Sequence, residues 1–174
     1  MNVTQARYLV NQESKLYRAD FSFESGKLVI ISNESHLKCV CFGHRQPLLQ
    51  ALEGHYDTVF VPPLAMAMEY FNAYFSSRKN TMPPIDLDVY TDGEKKVYNT
   101  LMSIQPGQTI SYGELARLSG FPGGARFIGN TMAKNMFPII IPCHRVIKSD
   151  GSIGNYSSGT RLKEFLLYHE GAIQ

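Results

Sequence analysis

The sequence predicts two domains of different class, an α/β domain over residues 1–87 and a mainly α domain over residues 88–174. Three observations carry this reading. The first half holds short apolar runs of strand length and one helical pattern. Pro83-Pro84 then breaks the chain, and the stretch to about Val89 has no helical period and reads as an extended linker. After it, capped helical segments follow one another to the end.

In the first half, Leu28-Val29-Ile30-Ile31 and Leu37-Lys38-Cys39-Val40-Cys41-Phe42 read as strands, the second with alternating faces. Val59-Phe60-Val61 reads as a further short strand ended by Pro62-Pro63. Leu64 to Phe75 reads as a helix, with Pro63 near its start and Leu64, Met68, Phe71 and Phe75 at helical spacing. The aromatic and methionine residues of this segment are read as core.

In the second half, Asp92 is placed to cap a helix that runs through Leu101 and Ile104 and ends at Pro106-Gly107. Ser111 with Glu114 three residues later has the form of a capping box, opening a helix from Tyr112 to about Leu118. A further helix spans about Gly124 to Lys134, and the pair reads as a helix-turn-helix. Ile139-Ile140-Ile141 reads as a short buried strand or extended segment. Thr160 to Tyr168 is the last helix, with Leu162, Phe165 and Leu166 facing inward.

The chain has 174 residues, 44% of them hydrophobic, which suits a globular protein with a proper core. Residues 1–90 carry 8 Lys+Arg and 9 Asp+Glu, whereas residues 91–174 carry 9 and 6. The basic excess of the second half suits contact with a phosphate backbone. No apolar stretch is long enough to span a bilayer, so no membrane partner is expected. Met1 to Gln5 show no basic region leading into an apolar one, so no secretory signal is expected. Three cysteines imply no disulfide framework, and a reducing, cytoplasmic setting is expected.

The chemistry concentrates in Pro138-Ile139-Ile140-Ile141-Pro142-Cys143-His144-Arg145-Val146-Ile147. An apolar run carries the chain inward, and two prolines stiffen it. A thiol, a base and a cation then stand side by side. A thiol becomes a strong nucleophile only as its thiolate, which a neighbouring base or cation favours. Adjacent side chains of an extended segment point apart, so His144 would reach Cys143 through a water. Burial as an inert residue is the commoner fate of a free cysteine. On the residues alone, nucleophile and structural cysteine stand level.

This segment resembles the active-site signature of the O6-alkylguanine-DNA alkyltransferases, an apolar run followed by Pro-Cys-His-Arg-Val. Thr109 to Ala116 resemble that family's first helix-turn-helix helix. Ala125-Arg126, Gly129 and Asn135 resemble its recognition helix and hinge, and Gly154 to Ser157 and Lys163 to Leu167 complete the likeness. The resemblance covers about residues 64–174.

The resemblance implies a ribonuclease-H-like α/β first domain and a winged-helix-like second domain. It implies single-turnover DNA repair, in which a methyl or small alkyl group passes from O6 of guanine, and less readily from O4 of thymine, to Cys143. The expected partner is double-stranded DNA carrying O6-alkylguanine, met through the minor groove by a monomer. A base inside a duplex is out of reach of a buried thiol, so the nucleotide must be flipped. Arg126 would fill the vacated stack, with Ala125, Phe127 and Gly129 also at the DNA. Tyr112 would stand near the flipped nucleotide's phosphate and donate to the guanine ring, making it a better leaving group. His144 would act as a base through water, with Glu164 holding it. Asn135 would bridge recognition helix and active-site segment. Pro138, Val146, Gly154, Tyr156 and Ser157 would form the base pocket. No cofactor is implied, because the DNA supplies the alkyl group.

The sequence departs from the family pattern in places. Phe127 and Ile128 follow Arg126 where Ala and Val are usual, so Phe127 would clash with the minor groove or act as a second wedge. Asn130 stands where a small residue is common. Met136 stands where proline usually follows Asn135, predicting a looser hinge. Tyr98 stands for a common Trp. A rival function is a non-catalytic alkyltransferase-like protein that binds and flags alkylated DNA, which the retained Cys143 argues against. An ordinary helix-turn-helix regulator would show no preference for a lesion.

His36, Cys39, Cys41 and His44 cluster in sequence, but Cys-x-Cys on a strand usually packs in a core, and no metal is predicted. Gly120 to Gly124 precede a helix without the Lys-Ser/Thr pair of a phosphate loop. They read as a tight turn or a close approach to DNA.

Overall fold

The computed structural model describes residues 15–43, 50, 56, 57 and 59–174. The chain divides into two compact units, Met1–Asp86 and Leu87–Gln174.

The first unit is built on an antiparallel meander of β1 (Tyr17–Phe23), β2 (Gly26–Ser32) and β3 (Leu37–Phe42), in that order. Tyr17 pairs with Ser32 and Phe23 with Gly26, so Glu24 and Ser25 make the connecting turn. Leu28 to Ile31 are fully buried, as the unbroken apolar run requires. Strand β1 was not expected from the sequence. Its signal is the alternation of Tyr17, Ala19, Phe21 and Phe23 with Arg18, Asp20 and Ser22, the pattern of a strand with one face wet. Phe21 and Phe23 share a face and meet Phe75 of helix α1 (Pro62–Phe75) at ring-centroid separations of 5.8 and 4.6 Å. Val59 to Val61 form no strand; they lead into α1, which starts at Pro62.

Strand β3 continues into an unforeseen pairing. The Leu37 N–H donates to the Pro84 carbonyl and the Asp86 N–H to the Leu37 carbonyl, so the expected linker is extended but bonded to the sheet. Lys38 Nζ reaches Asp86 at 2.6 Å. Cys39 and Cys41 are buried opposite Ile31 and Val29. Burial, and then the neighbouring Cys41, push the Cys39 thiol well up. Among the described residues no three His, Cys, Asp or Glu side chains gather as a metal site would need. His44 lies outside the described residues.

In the second unit, helix α2 (Asp92–Met102) begins at the residue expected to cap it, and the cap lies one residue earlier. Thr91 is the N-cap, and its side chain and that of Glu94 form a full capping box. Val97, Tyr98 and Leu101 point into the core. The two-residue strands β4 (Ile110–Ser111) and β5 (Val146–Ile147) pair in parallel. Helix α3 (Tyr112–Leu118) is capped by Ser111, but Glu114 turns instead to Arg117 at 2.7 Å. After the turn at Gly120 to Gly124 comes helix α4 (Ala125–Lys134), packed against α3. The order helix, tight turn, helix is that of a helix-turn-helix.

The Ile139–Ile141 run is a turn rather than a strand. Pro138 bridges to Ile141, and the Ile141 N–H donates to the Phe137 carbonyl. Ile139 has φ of +75°, a conformation that β-branched residues avoid. Cys143, His144 and Arg145 then make one 3₁₀ turn rather than an extended segment. The last helix, α5 (Thr160–His169), buries Lys163, Leu166 and Leu167; Leu162 and Phe165, expected inward, are only half-buried. Among the described residues no helix is long and apolar enough to cross a membrane.

Candidate active site

The site is assembled around the 3₁₀ turn. Pro142 stands at φ −82°, ψ 61°, and the Cys143 N–H donates back to the Ile141 carbonyl at 2.8 Å. This tight turn sets Cys143 at the floor of a pocket of about 450 Å³. The pocket is walled by Tyr112 of α3, by Ala125, Gly129, Met132 and Ala133 of α4, and by Asn155, Tyr156 and Ser157 of the loop before α5. The small residues of α4 leave room for a planar ligand, and the volume lies within the usual range for small-ligand sites.

The sulfur is held on two sides. Asn135 Nδ2 donates to Cys143 Sγ at 3.1 Å and to the Ile141 carbonyl at 2.9 Å. Asn135 Oδ1 accepts the Phe137 N–H at 2.8 Å. Tyr156 Oη lies 3.8 Å from the sulfur. Burial pushes the Cys143 thiol up, opposed by these two contacts and by the charge of Lys163. The resting group is therefore a thiol, and a base must take its proton during reaction.

His144, the next residue in the chain, has the charge state that a base requires. It is fully buried, and burial lowers its pKa against the pull of Glu170, so it is neutral near pH 7. Its Nε2 lies 2.8 Å from Glu170 Oε1. Burial would raise the Glu170 carboxyl, but His144 and Arg145 overcome that and hold it at about 2. An ionised carboxylate only accepts, so Nε2 carries the hydrogen and Nδ1 is left with a free lone pair. Nδ1 is buried without a protein hydrogen-bond partner among the described residues.

The carboxylate expected at this histidine was Glu164. The structure corrects this: Glu164 is exposed and Glu170 is the partner. Helical phase is the reason. Lys163, Leu166 and Leu167 mark the buried stripe of α5, and the next position on it is 170, whereas 164 lies off it. Arg145 completes the arrangement, gripping Glu170 with Nε and a terminal nitrogen at 2.8 Å each and donating to the Ile104 carbonyl.

Lys163 was not singled out by its sequence position. It is fully buried, and its ammonium donates to the Val146 carbonyl at 2.5 Å. Burial lowers its pKa to about 8, against the favourable charge of the Cys143 thiolate. Near pH 7 it is a cation beside the nucleophile.

Pro138, Val146 and Gly154, expected in the pocket, do not line it. Pro138 opens the buried turn, Val146 is held in β5, and Gly154 at φ +72° lies against Lys148. Met132, Ala133 and Asn155 take their places. Arg126 and Ala125 are exposed on the first turn of α4. Phe127 does not point outward with them. Its ring packs on Phe121 at 4.9 Å, and both rings come within 3.4 Å of where a Cβ on Gly93 would lie. It is half-buried and joins α4 to the turn beside Gly93 of α2. Met136 is tied down as well: its N–H donates to Tyr90 Oη at 2.8 Å.

The pocket over Cys143 is thus walled by both helices of the helix-turn-helix. Residues 92–172 match the family model of the 6-O-methylguanine DNA methyltransferase DNA binding domain. Over 179 aligned residues the chain is 32% identical to the human methylated-DNA–protein-cysteine methyltransferase, covering 93% of this chain and 84% of that one. The chain belongs to the methylated-DNA–protein-cysteine methyltransferase family. The Methanosarcina acetivorans member is 31% identical over 90% of this chain and 99% of its own. The crystal structure of the Mycobacterium tuberculosis O6-methylguanine methyltransferase superimposes with a TM-score of 0.73 at 30% identity, covering 90% of this chain and 93% of that one. The Mycobacterium tuberculosis OGT in complex with DNA superimposes at 0.75, also at 30% identity, covering 91% and 93%. This chain thus has the alkyltransferase fold, with a small sheet and several helices, and a DNA-binding region over its second half.

Proposed function

We propose that Cys143 removes a methyl or small alkyl group from O6 of guanine in DNA, and less readily from O4 of thymine, and keeps it as a thioether. The carrying observation is the line Glu170–His144 beside a buried thiol held by Asn135. The Cys143 sulfur attacks the alkyl carbon in line. An S–C bond forms as the C–O6 bond breaks, and its electron pair stays with the guanine. The thiol proton passes through a water to His144 Nδ1, and the imidazolium is stabilised by Glu170. Tyr112 donates a hydrogen bond to the guanine ring, aiding its departure. No described residue offers a second acceptor thiol in this unit, and a thioether resists hydrolysis, so each molecule reacts once. The alkyl group comes from the DNA, which makes a cofactor unnecessary.

The base reaches the pocket by flipping. Arg126, exposed at the start of α4, fills the gap it leaves, and the helix-turn-helix meets the minor groove with the protein as a monomer. The first unit corresponds to a ribonuclease-H-like α/β domain and the second to a winged-helix-like domain.

The test is the intact mass of the protein after mixing with an equimolar duplex carrying one O6-methylguanine, followed by peptide mapping. One methyl group on Cys143, absent in Cys143→Ala, is expected. Tight lesion binding without a mass gain would instead mean a protein that flags damage. In a companion assay, Arg126→Ala is expected to slow transfer from duplex about a hundredfold while reacting normally with free O6-benzylguanine base, which needs no flipping.

A further inference from the structure

Tyr90 stands just before α2 and is buried. Its hydroxyl does two things. It accepts the Met136 N–H at 2.8 Å, and it lies 3.4 Å from the Lys134 carbonyl, to which it donates. It therefore grips the main chain on both sides of Asn135, where α4 ends. Asn135 has φ −56° and ψ 119°, so the chain turns out of the helix at this residue. A second tyrosine, Tyr98, rests on Tyr90 at 4.6 Å and donates to the Thr131 carbonyl one turn earlier. The last turn of α4 is thus held by two hydroxyls, one from α2 and one from just before it.

What hangs from that turn is the Asn135 side chain. It bonds to the nucleophile's own segment three times, at the Phe137 N–H, the Ile141 carbonyl and Cys143 Sγ. A donor at 3.1 Å stabilises a thiolate only while it stays aligned, because such bonds weaken steeply with angle. A main-chain shift at 135 or 136 would therefore be felt at the sulfur. We propose that Tyr90 is a positioning residue for the transfer reaction: its hydroxyl fixes the chain around Asn135, and so holds the Asn135 amide on the Cys143 sulfur. This rests on Cys143 being the alkyl acceptor.

Substitution of Tyr90 by Phe keeps the ring and removes the hydroxyl, leaving the buried Met136 N–H unpaired. Proline at 136 has no N–H to leave unpaired and restricts the chain there. The ψ of 119° at Asn135 is close to what a residue before proline adopts. Tyr90→Phe combined with Met136→Pro therefore removes the fault that Tyr90→Phe creates.

The experiment measures single-turnover methyl transfer from an O6-methylguanine duplex by intact mass, from pH 6 to 10, with melting recorded in parallel. Wild type, Tyr90→Phe and the double variant are compared well below their melting points. The other groups that act on Cys143 (Lys163 on α5, Tyr98 on α2, Tyr112 on α3, Tyr156 on the loop, and His144 beside it) are the same in all three. Tyr90→Phe is expected to slow transfer about three- to tenfold at pH 7 and to move the midpoint of the pH profile upward. The double variant is expected to recover rate and midpoint, even where the lost Met136 packing keeps its melting temperature low. A Tyr90→Phe protein that melts earlier but keeps the wild-type midpoint would overturn the proposal, as would a double variant with the midpoint still raised. Absence of transfer by the wild type would refute the role of Cys143 itself, a distinct result.

Discussion

Replacing Glu170 by Gln separates the carboxylate that the fold presents to His144 from the one that sequence position suggests. The side chain is 1% exposed and holds His144 and Arg145 at once. Gln keeps the shape but removes the charge, leaving the guanidinium of Arg145 buried without its counter-ion. A fall of the Glu170 pKa from 4.5 to about 2 corresponds to about 3 kcal/mol at 1.36 kcal/mol per pH unit. That agrees with the ~3–5 kcal/mol usually lost when one partner of a buried ion pair is removed. For a chain of this length the melting temperature should fall by about 6–12 °C. The sign follows from the depressed pKa: this stability is present above pH 4.5 and is lost as pH falls toward 2. The gap between wild type and Glu170→Gln should therefore close over that window. Methyl transfer at pH 7 should slow by about a hundredfold, because His144 loses the anion that orients it and stabilises its charged form. Glu164→Gln, on the exposed face of α5, should change the melting temperature by less than about 2 °C and leave transfer unchanged. The assays are a thermal melt at several pH values and the intact-mass time course. If Glu164→Gln proved the slower protein, or if folded Glu170→Gln reacted at the wild-type rate, the proposed base relay would be wrong.

Two further outcomes are expected. Lys163→Met should slow transfer about tenfold at pH 7 by removing the cation beside the sulfur, and the deficit should narrow above about pH 8, where Lys163 of the wild type itself discharges; an equal deficit at all pH values, read from the same time courses, would assign Lys163 a purely structural part. Phe127→Ala should lower stability by about 1–2 kcal/mol through loss of its contact with Phe121, and change affinity for a lesion-free duplex less than threefold by fluorescence anisotropy; a drop in affinity of tenfold or more with an unchanged melt would mean that Phe127 touches DNA after all.

Cys143 and His144 were legible as candidates because their chemistry is written in consecutive residues. Pro142, Cys143 and His144 need no tertiary fold to be neighbours, and an apolar run before them announces burial. The helix-turn-helix was legible for a similar reason, since caps, turn glycines and helical spacing act within a few residues. Glu170 was not, although its position continues the stripe of Lys163, Leu166 and Leu167. It stands 26 residues from His144, and spacing along α5 does not say which face meets the 3₁₀ turn. A lysine among leucines also disguised the buried stripe, because charge is normally a sign of solvent. Strand β1 was hidden in the same way by Arg18 and Asp20.

Sequence by itself determined the consecutive Cys143-His144-Arg145 cluster and the paired helices of the helix-turn-helix. Only the tertiary structure decided which carboxylate serves His144, that Phe127 turns inward onto Phe121, and that Tyr90 secures the chain at Met136 from 46 residues away. The physical reason is range. Backbone preferences and side-chain periodicity act over one or two turns of chain, whereas the charge state of a buried thiol or imidazole depends on whatever packing brings within a few ångströms, from any distance along the sequence.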